Sequence, residues 1–464
     1  MSAIPLGLSA YQRADLPPAR LVNMFYEKTP ANLQDQVVIM PRPRLKQFAA
    51  VGAGPTRGVF LKGGVIQERI LALSGDTLYR IAPSADGIGT PTTIGTVTGT
   101  GRMSAEGNAT AVVLTCGANA YSTDGASLST IAVPDSQNVI AVDTLNSYFL
   151  FAMANSGRFY WSAIGGTTID PLDYATAESQ PDNLSTLKVV GDELWLVGRL
   201  SVEVWQPTGD LDLPFQRIRG RIFGIGCVAR DTCQKLSVGG SETMCWVGAD
   251  GVVYRLAPNP ARISDHGIEE LIKRADPASL YATTYRWIGR EFYVLHVPGQ
   301  GSYACDLSTG FWDELTSFNK ALFRGAVSTI GPQDQPLLGD DAEGRVWEFS
   351  DERRTDGNDP IVFEWSGLLE NNGAPVRCNN VVLDCSVGQT SSPDNDPMVE
   401  LSYSEDRGET WSAWLLRPLG RQGKRLTQVI WPRMGLLRRP GRVFRWRTSE
   451  PVTVRKAAFN EAFR

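Results

Sequence analysis

Ser404, Asp406, Gly408, Thr410 and Trp411 stand at the spacing S-x-D-x-G-x-T-W. A carboxylate such as Asp406 could act as an acid or base on a substrate. The same residue types also build a tight turn. Ser404 and Asp406 can bond turn amides, Gly408 can take a positive φ, and Trp411 can fold back as an apolar lid. Nothing in the second reading needs a substrate.

Other candidate chemistry is sparse. Only two histidines occur. His296 lies in the alternating stretch "EFYVLHVPG" and His266 at a turn, neither with partners at metal spacing, so no His-based metal site or cofactor is expected. No G-x-S-x-G elbow is present. "GIGCVA", residues 224–229, fits a dinucleotide fingerprint in letters alone, because its flanks read as strands on both sides. Asp340 and Asp341 fall in a hairpin turn, where carboxylates cap backbone amides. The seven cysteines are scattered without a C-x-x-C pair, which points to reduced, buried thiols.

The spacing at 404–411 is that of the Asp-box hairpin of sialidase-like propellers. In those proteins the boxes recur, one per blade and away from the active site, while an arginine cluster, a tyrosine and carboxylates elsewhere do the chemistry. Here the box occurs once, so a structural turn is expected.

The elements that would position these residues are β-strands. Forty-six glycines and 28 prolines, with 42% hydrophobic and 20% charged residues, describe an ordered chain with many tight turns. Between residues 70 and 350 one pattern recurs: an alternating apolar strand, a Gly/Asp/Asn turn, and a second strand with an aromatic. The aromatics Tyr79, Tyr121, Tyr160, Trp205, Tyr254, Tyr303 and Trp347 are separated by 42, 39, 45, 49, 49 and 44 residues. Such a period predicts an all-β propeller of about seven blades, because a lone four-stranded sheet cannot bury both faces and radial stacking can. One helix is expected, within "GIEELIKRAD", as an insertion between blades.

The composition shifts at "DERRTDGNDP", residues 351–360, and about six alternating strands follow. The expected organisation is therefore an irregular arm or ring-closing segment at 1–60, a propeller at 61–350, and a small Arg-rich β-sandwich at 351–464. Net charge is −5, but residues 417–464 carry 13 Lys and Arg against Glu450 and Glu461. That leaves +11 on this stretch and −16 on the remainder. Such polarity suggests docking of one end on an acidic surface, or contact with nucleic-acid phosphates. Arg42, Arg44, Arg421, Lys424, Arg425, Arg438, Arg439, Arg442 and Arg445 are the candidate contacts. The N-terminus lacks a basic region followed by an apolar one, and no run of 18 apolar residues occurs, so a cytosolic chain without a membrane span is expected.

Five stretches, "LVNMFYEKTP" (21–30), "GRMSAEG" (101–107), "AESQPDN" (177–183), "VEVWQPTG" (202–209) and "IEELIKR" (268–274), resemble the packaged DNA stabilisation proteins of short-tailed bacteriophages. The resemblance implies a non-enzymatic virion protein of the tail, assembled in the host cytoplasm. It implies a hexamer beneath the portal and adaptor rings that closes the head after packaging, touches the genomic DNA in the channel, and holds the tail needle, fibres or spikes. It carries over no catalytic residue and no cofactor. The alternative is a glycan-binding or glycan-cleaving propeller of the tail, which would show convergent Arg and carboxylate groups in a pocket on the axis.

Overall fold

A computed structural model describes residues 2–4, 20–28, 37–66, 69–82, 89–371, 373–389 and 396–461. Seven antiparallel four-stranded sheets form a propeller. Blades one to six take their strands in chain order, from Thr56–Phe60 in blade one to Trp312–Leu315 in blade six. Blade seven takes Gly325–Ile330, Pro336–Asp340 and Arg345–Ser350 from this run and its outermost strand, Arg44–Ala50, from the N-terminal segment. The first strands of blades seven and one pack together and close the ring.

All seven spaced aromatics lie on the third strand of successive blades. The periodicity is thus the repeat of one hairpin, the second and third strands, whose burial makes its pattern strict. Between blades the apolar faces interlock: Trp195 of blade four and Trp246 of blade five share one cluster with Cys227 and Cys233. All seven cysteines are buried and none forms a disulfide. The helix, α1 (His266–Arg274), lies between blades five and six. The Asp265 side chain caps it by accepting from the Ile268 amide, and Ile268 and Ile272 pack into the core shared by those blades.

The C-terminal strands build a two-layered sandwich. One sheet contains Phe363–Glu370, Gly441–Thr448, Met398–Ser404 and Leu415–Pro418; the other contains Val454–Glu461, Val376–Cys385 and Val429–Pro432. Trp365 and Trp446, fully buried, stack at 6.2 Å between their ring centroids in its core.

The N-terminal segment, expected to be irregular, contributes strands to both bodies. Met24–Lys28 and Val37–Pro41 extend the second sandwich sheet, and Arg44–Ala50 completes blade seven. Leu21–Val22 lies between blade six and the sandwich, parallel to Trp312–Leu315 and antiparallel to Phe363–Glu370, so one sheet of nine strands runs through both. Two prolines of this segment sit where they break no ladder: Pro41 ends a strand and Pro43 lies between two.

Arg42 and Arg44, expected at a docking surface, are instead 2% and 7% exposed. Arg42 donates to both carboxylate oxygens of Asp356, to Asn23 Oδ1 at 2.8 Å and to the Pro43 carbonyl at 2.9 Å. Asp356 Oδ1 also accepts from the Leu45 amide at 3.0 Å. Asn23, at φ 58°, donates to Thr316 Oγ1 and to the Val362 carbonyl. Arg44 donates to the Arg353 carbonyl at 2.7 Å. These guanidiniums tie the N-terminal segment to the connection between the two bodies.

Asp356→Ala would leave a buried guanidinium without its counter-charge, a loss of about 3–5 kcal/mol. The expected result is a lower urea midpoint and separate unfolding of sandwich and propeller, followed by tryptophan fluorescence. A change within 0.5 kcal/mol, the usual range for surface positions, would show that the pair does not couple the two bodies.

Candidate docking surfaces and the axial cavity

The remaining basic candidates do not form one patch. Arg421, Lys424 and Arg425 are exposed in the connection between Leu415–Pro418 and Val429–Pro432. The Gly423 amide donates to the Gly388 carbonyl at 3.0 Å, which holds this loop at the end of Val376–Cys385. Gly420 is required there: its φ is 84°, and a Cβ would sit 2.3 Å from Thr427 Oγ1. Arg438 and Arg439, also exposed, lie by the start of the same strand, where Arg439 donates to the Gly373 carbonyl at 3.1 Å. Ten residues of strand put the groups roughly 30 Å apart.

Arg442 is used internally, which corrects its assignment to docking, and Arg445, half-buried, is engaged by neighbouring rings. Arg442 is 2% exposed, donates to the Met434 carbonyl at 2.6 Å, pairs with Glu405, and lies 4.3 Å from the Tyr403 ring centre. The Arg445 guanidinium lies 4.0 Å from the Trp411 ring and 4.6 Å from that of Trp414, and Arg447 is 4.0 Å from Trp414. This ladder of cations and indoles fixes the sheet face that the Asp-box turn adjoins.

The turn has the structural form. Ser404 Oγ donates to Asp406 Oδ1 at 2.7 Å and accepts from the Gly408 amide at 2.8 Å. Asp406 accepts from the Thr410 amide at 2.8 Å and from the Thr410 hydroxyl. Trp411 Nε1 donates to the Gly408 carbonyl at 3.0 Å, and Gly408 has φ 100°. Hydrogen bonds from the Thr410 hydroxyl and amide, then from Ser404, hold the Asp406 carboxyl down to about 2.

A second surface is apolar and acidic. Leu172 in blade three and Leu211 and Leu213 in blade four are 84%, 75% and 54% exposed, in loops that carry Asp170, Asp173, Asp210 and Asp212. Burial and then the charges of Asp170 and Asp212 raise the Asp173 carboxyl.

On the propeller axis a cavity of about 100 Å³ is lined by all seven blades, and Arg102, Lys188, Arg230 and Asp231 line it. Arg230 donates to Asp231 and to the Ile140 and Arg102 carbonyls, at 2.7, 2.7 and 3.0 Å. Nearby, Lys235 joins Asp143 at 3.0 Å and Glu106 at 3.2 Å. Sequence reading missed these residues because seven separate strands and loops bring them together. The one available signal was "GRMSAEG", which contains both Arg102 and Glu106. Arg and carboxylate groups do converge here, but Arg230 is held by Asp231 and by carbonyls of two other blades, and the volume is below the ~300–1,000 Å³ usual for small-molecule sites.

His296 is a core residue. It stacks on Tyr281 at 4.4 Å and its Nδ1 meets Ser302 Oγ at 2.9 Å; burial, then the charge of Arg102, pushes its pKa down to about 3. Asp340 caps the Ala342 and Glu343 amides and accepts from Trp347 Nε1 at 2.9 Å. Among the described residues no group of three or more His, Cys, Asp or Glu could hold a metal ion, and no helix is long and apolar enough to cross a membrane.

Family models for the two parts of one phage protein cover nearly the whole chain. The model described as bacteriophage P22 Gp10, beta-propeller, matches residues 2–352, and that described as bacteriophage P22 Gp10, beta-sandwich, matches 361–461. The chain belongs to the bacteriophage P22 Gp10 family. Members of the Gp10 family are phage structural proteins that stabilise packaged DNA, which makes this a virion protein. No curated protein matches. Among solved structures, virginiamycin B lyase from Staphylococcus aureus is similar at 11% identity and TM-score 0.46, over 66% of this chain and 99% of that one. The β-propeller domain of Cps50 (Swd1) from Myceliophteria thermophila is similar at 11% identity and TM-score 0.43, over 66% of this chain and 100% of that one. Gp10 family membership points to a structural rather than an enzymatic role.

Asp406 stabilises the fold at any pH above its unfolded value of ~3.9, and that contribution fades as pH falls toward 2. Asp406→Ala is expected to lower the melting temperature at pH 6, with the difference from the unsubstituted protein shrinking between pH 4 and 2. A pH-independent difference would remove the carboxylate from the account.

Proposed function

We propose that this chain is the tail hub that closes the portal and adaptor channel after genome packaging, retains the DNA and carries the distal tail components. The observation that carries the reading is the match of both Gp10 family models over nearly the whole chain. The nine-stranded sheet shared by blade six and the sandwich supports it, because a plug under internal pressure must transmit load between its parts without a hinge.

In this reading several copies, six by the family resemblance, form a ring beneath the adaptor. Opposed surfaces support such contacts: a basic loop with Arg421, Lys424, Arg425 and the 96% exposed Leu426, and the acidic, apolar loops of blades three and four. Each offers charge at its rim and leucine at its tip, a combination that gives both steering and burial. Contact with genomic DNA is confined to the channel end, and the needle, fibres or spikes attach distally.

Phage particles lacking this protein are expected to package DNA and then lose it, scored as nuclease-sensitive DNA after filling. Stable retention of the genome in such particles would contradict the hub reading. Replacing Arg421, Lys424 and Arg425 with Gln should weaken assembly on the adaptor at low salt by tenfold or more, and raised salt should weaken the unsubstituted protein in the same direction. Assembly indifferent to both changes would place docking elsewhere.

A further inference from the structure

The axial cavity holds more positive charge than its own carboxylate balances. Arg102, Lys188 and Arg230 line it against Asp231. Arg230 is bonded to Asp231 and two carbonyls, and Arg102 stacks on Tyr281 at 3.5 Å and donates to the Ala326 carbonyl at 3.3 Å. Lys188 is half-buried, and no hydrogen bond or ion pair joins its side chain to another described residue. Thr283, on the wall contributed by blade six, is 1% exposed and its hydroxyl has no partner among the described residues.

The contrast with the adjacent cluster is informative. There, Lys62 and Lys235 meet Glu106 and Asp143, and the charges cancel. At Lys188 nothing plays that part. A cation held in a partly enclosed space attracts an anion, and an unpaired buried hydroxyl is costly unless something accepts or donates to it.

We propose that the axial cavity binds a small oxyanion of phosphate size. Lys188 supplies the uncompensated charge, the Thr283 hydroxyl donates a hydrogen bond, and Arg102, held against Tyr281 and Ala326, contributes field. About 100 Å³ suits a bare oxyanion and excludes a sugar chain or a nucleotide. Entry is through a wider depression of about 520 Å³, lined by Gly99, Gly101, Gly117 and Leu280, which shares Arg230 and Asp231 with the cavity. The inference does not depend on the hub reading.

The test is calorimetric titration of the intact purified protein with inorganic phosphate at constant ionic strength, with chloride as the control anion. The expected result is saturable binding of one phosphate per chain, weakened tenfold or more by Lys188→Gln and several-fold by Thr283→Val. Both variants should melt, in the absence of phosphate, within a few degrees of the unsubstituted protein. Absence of saturable binding by the unsubstituted protein, or equal binding by both variants, overturns the proposal. Adenosine monophosphate should not bind; binding as tight as that of phosphate would move the site out of the cavity.

Discussion

The pairing of Arg42 with Asp356 is the constraint on which the architecture depends. Both side chains are 2% exposed, and a charge so placed is tolerable only when its partner and its hydrogen bonds are complete. Completing them requires the N-terminal segment, the connection after blade six and the linker before the sandwich to meet at one point. That meeting puts Leu21–Val22 between the two bodies and Arg44–Ala50 at the edge of blade seven. Completion of blade seven and domain attachment therefore meet at the same buried contact.

Charge elsewhere in the chain is partitioned by role. Basic residues of the sandwich that look alike in sequence serve three purposes. Arg442 satisfies carbonyls inside, Arg445 and Arg447 stack with Trp411 and Trp414, and Arg421, Lys424 and Arg425 face solvent. Of the residues the sequence suggested as contacts, this last group and Arg438 and Arg439 at the far end are the exposed ones. On the propeller axis the division is similar: one cluster cancels its charges, and the other leaves Lys188 over.

The propeller was legible because its signal is local. Each spaced aromatic sits in a hairpin whose two strands are adjacent in the chain, so periodicity and turn residues mark it directly. The Asp-box turn was legible for the same reason, since the side-chain hydrogen bonds of Ser404, Asp406 and Trp411 fall within residues 404–411. The N-terminal segment was legible only as a candidate source of a strand for the propeller; apart from the hairpin of Met24–Lys28 with Val37–Pro41, its pairings are distant, as in Val22 with Glu314 and Ile39 with Val454. Burial of Arg42, Arg44 and Arg442 was hidden too, because composition reports charge and not what neutralises it. The axial cavity depends on side chains from separate blades, which no spacing in one chain reveals.

A stitched, all-β body with two separated basic patches fits a component that bears load between rings. Membership in the Gp10 family gives that body its setting, and the hub reading gives it a place in the particle. The measurement that tests this most directly is native mass spectrometry, with electron cryo-microscopy, of the purified protein mixed with a portal and adaptor complex. The account predicts a closed ring of copies seated on the adaptor with its rotational symmetry. Monomers that leave the adaptor unoccupied would contradict it.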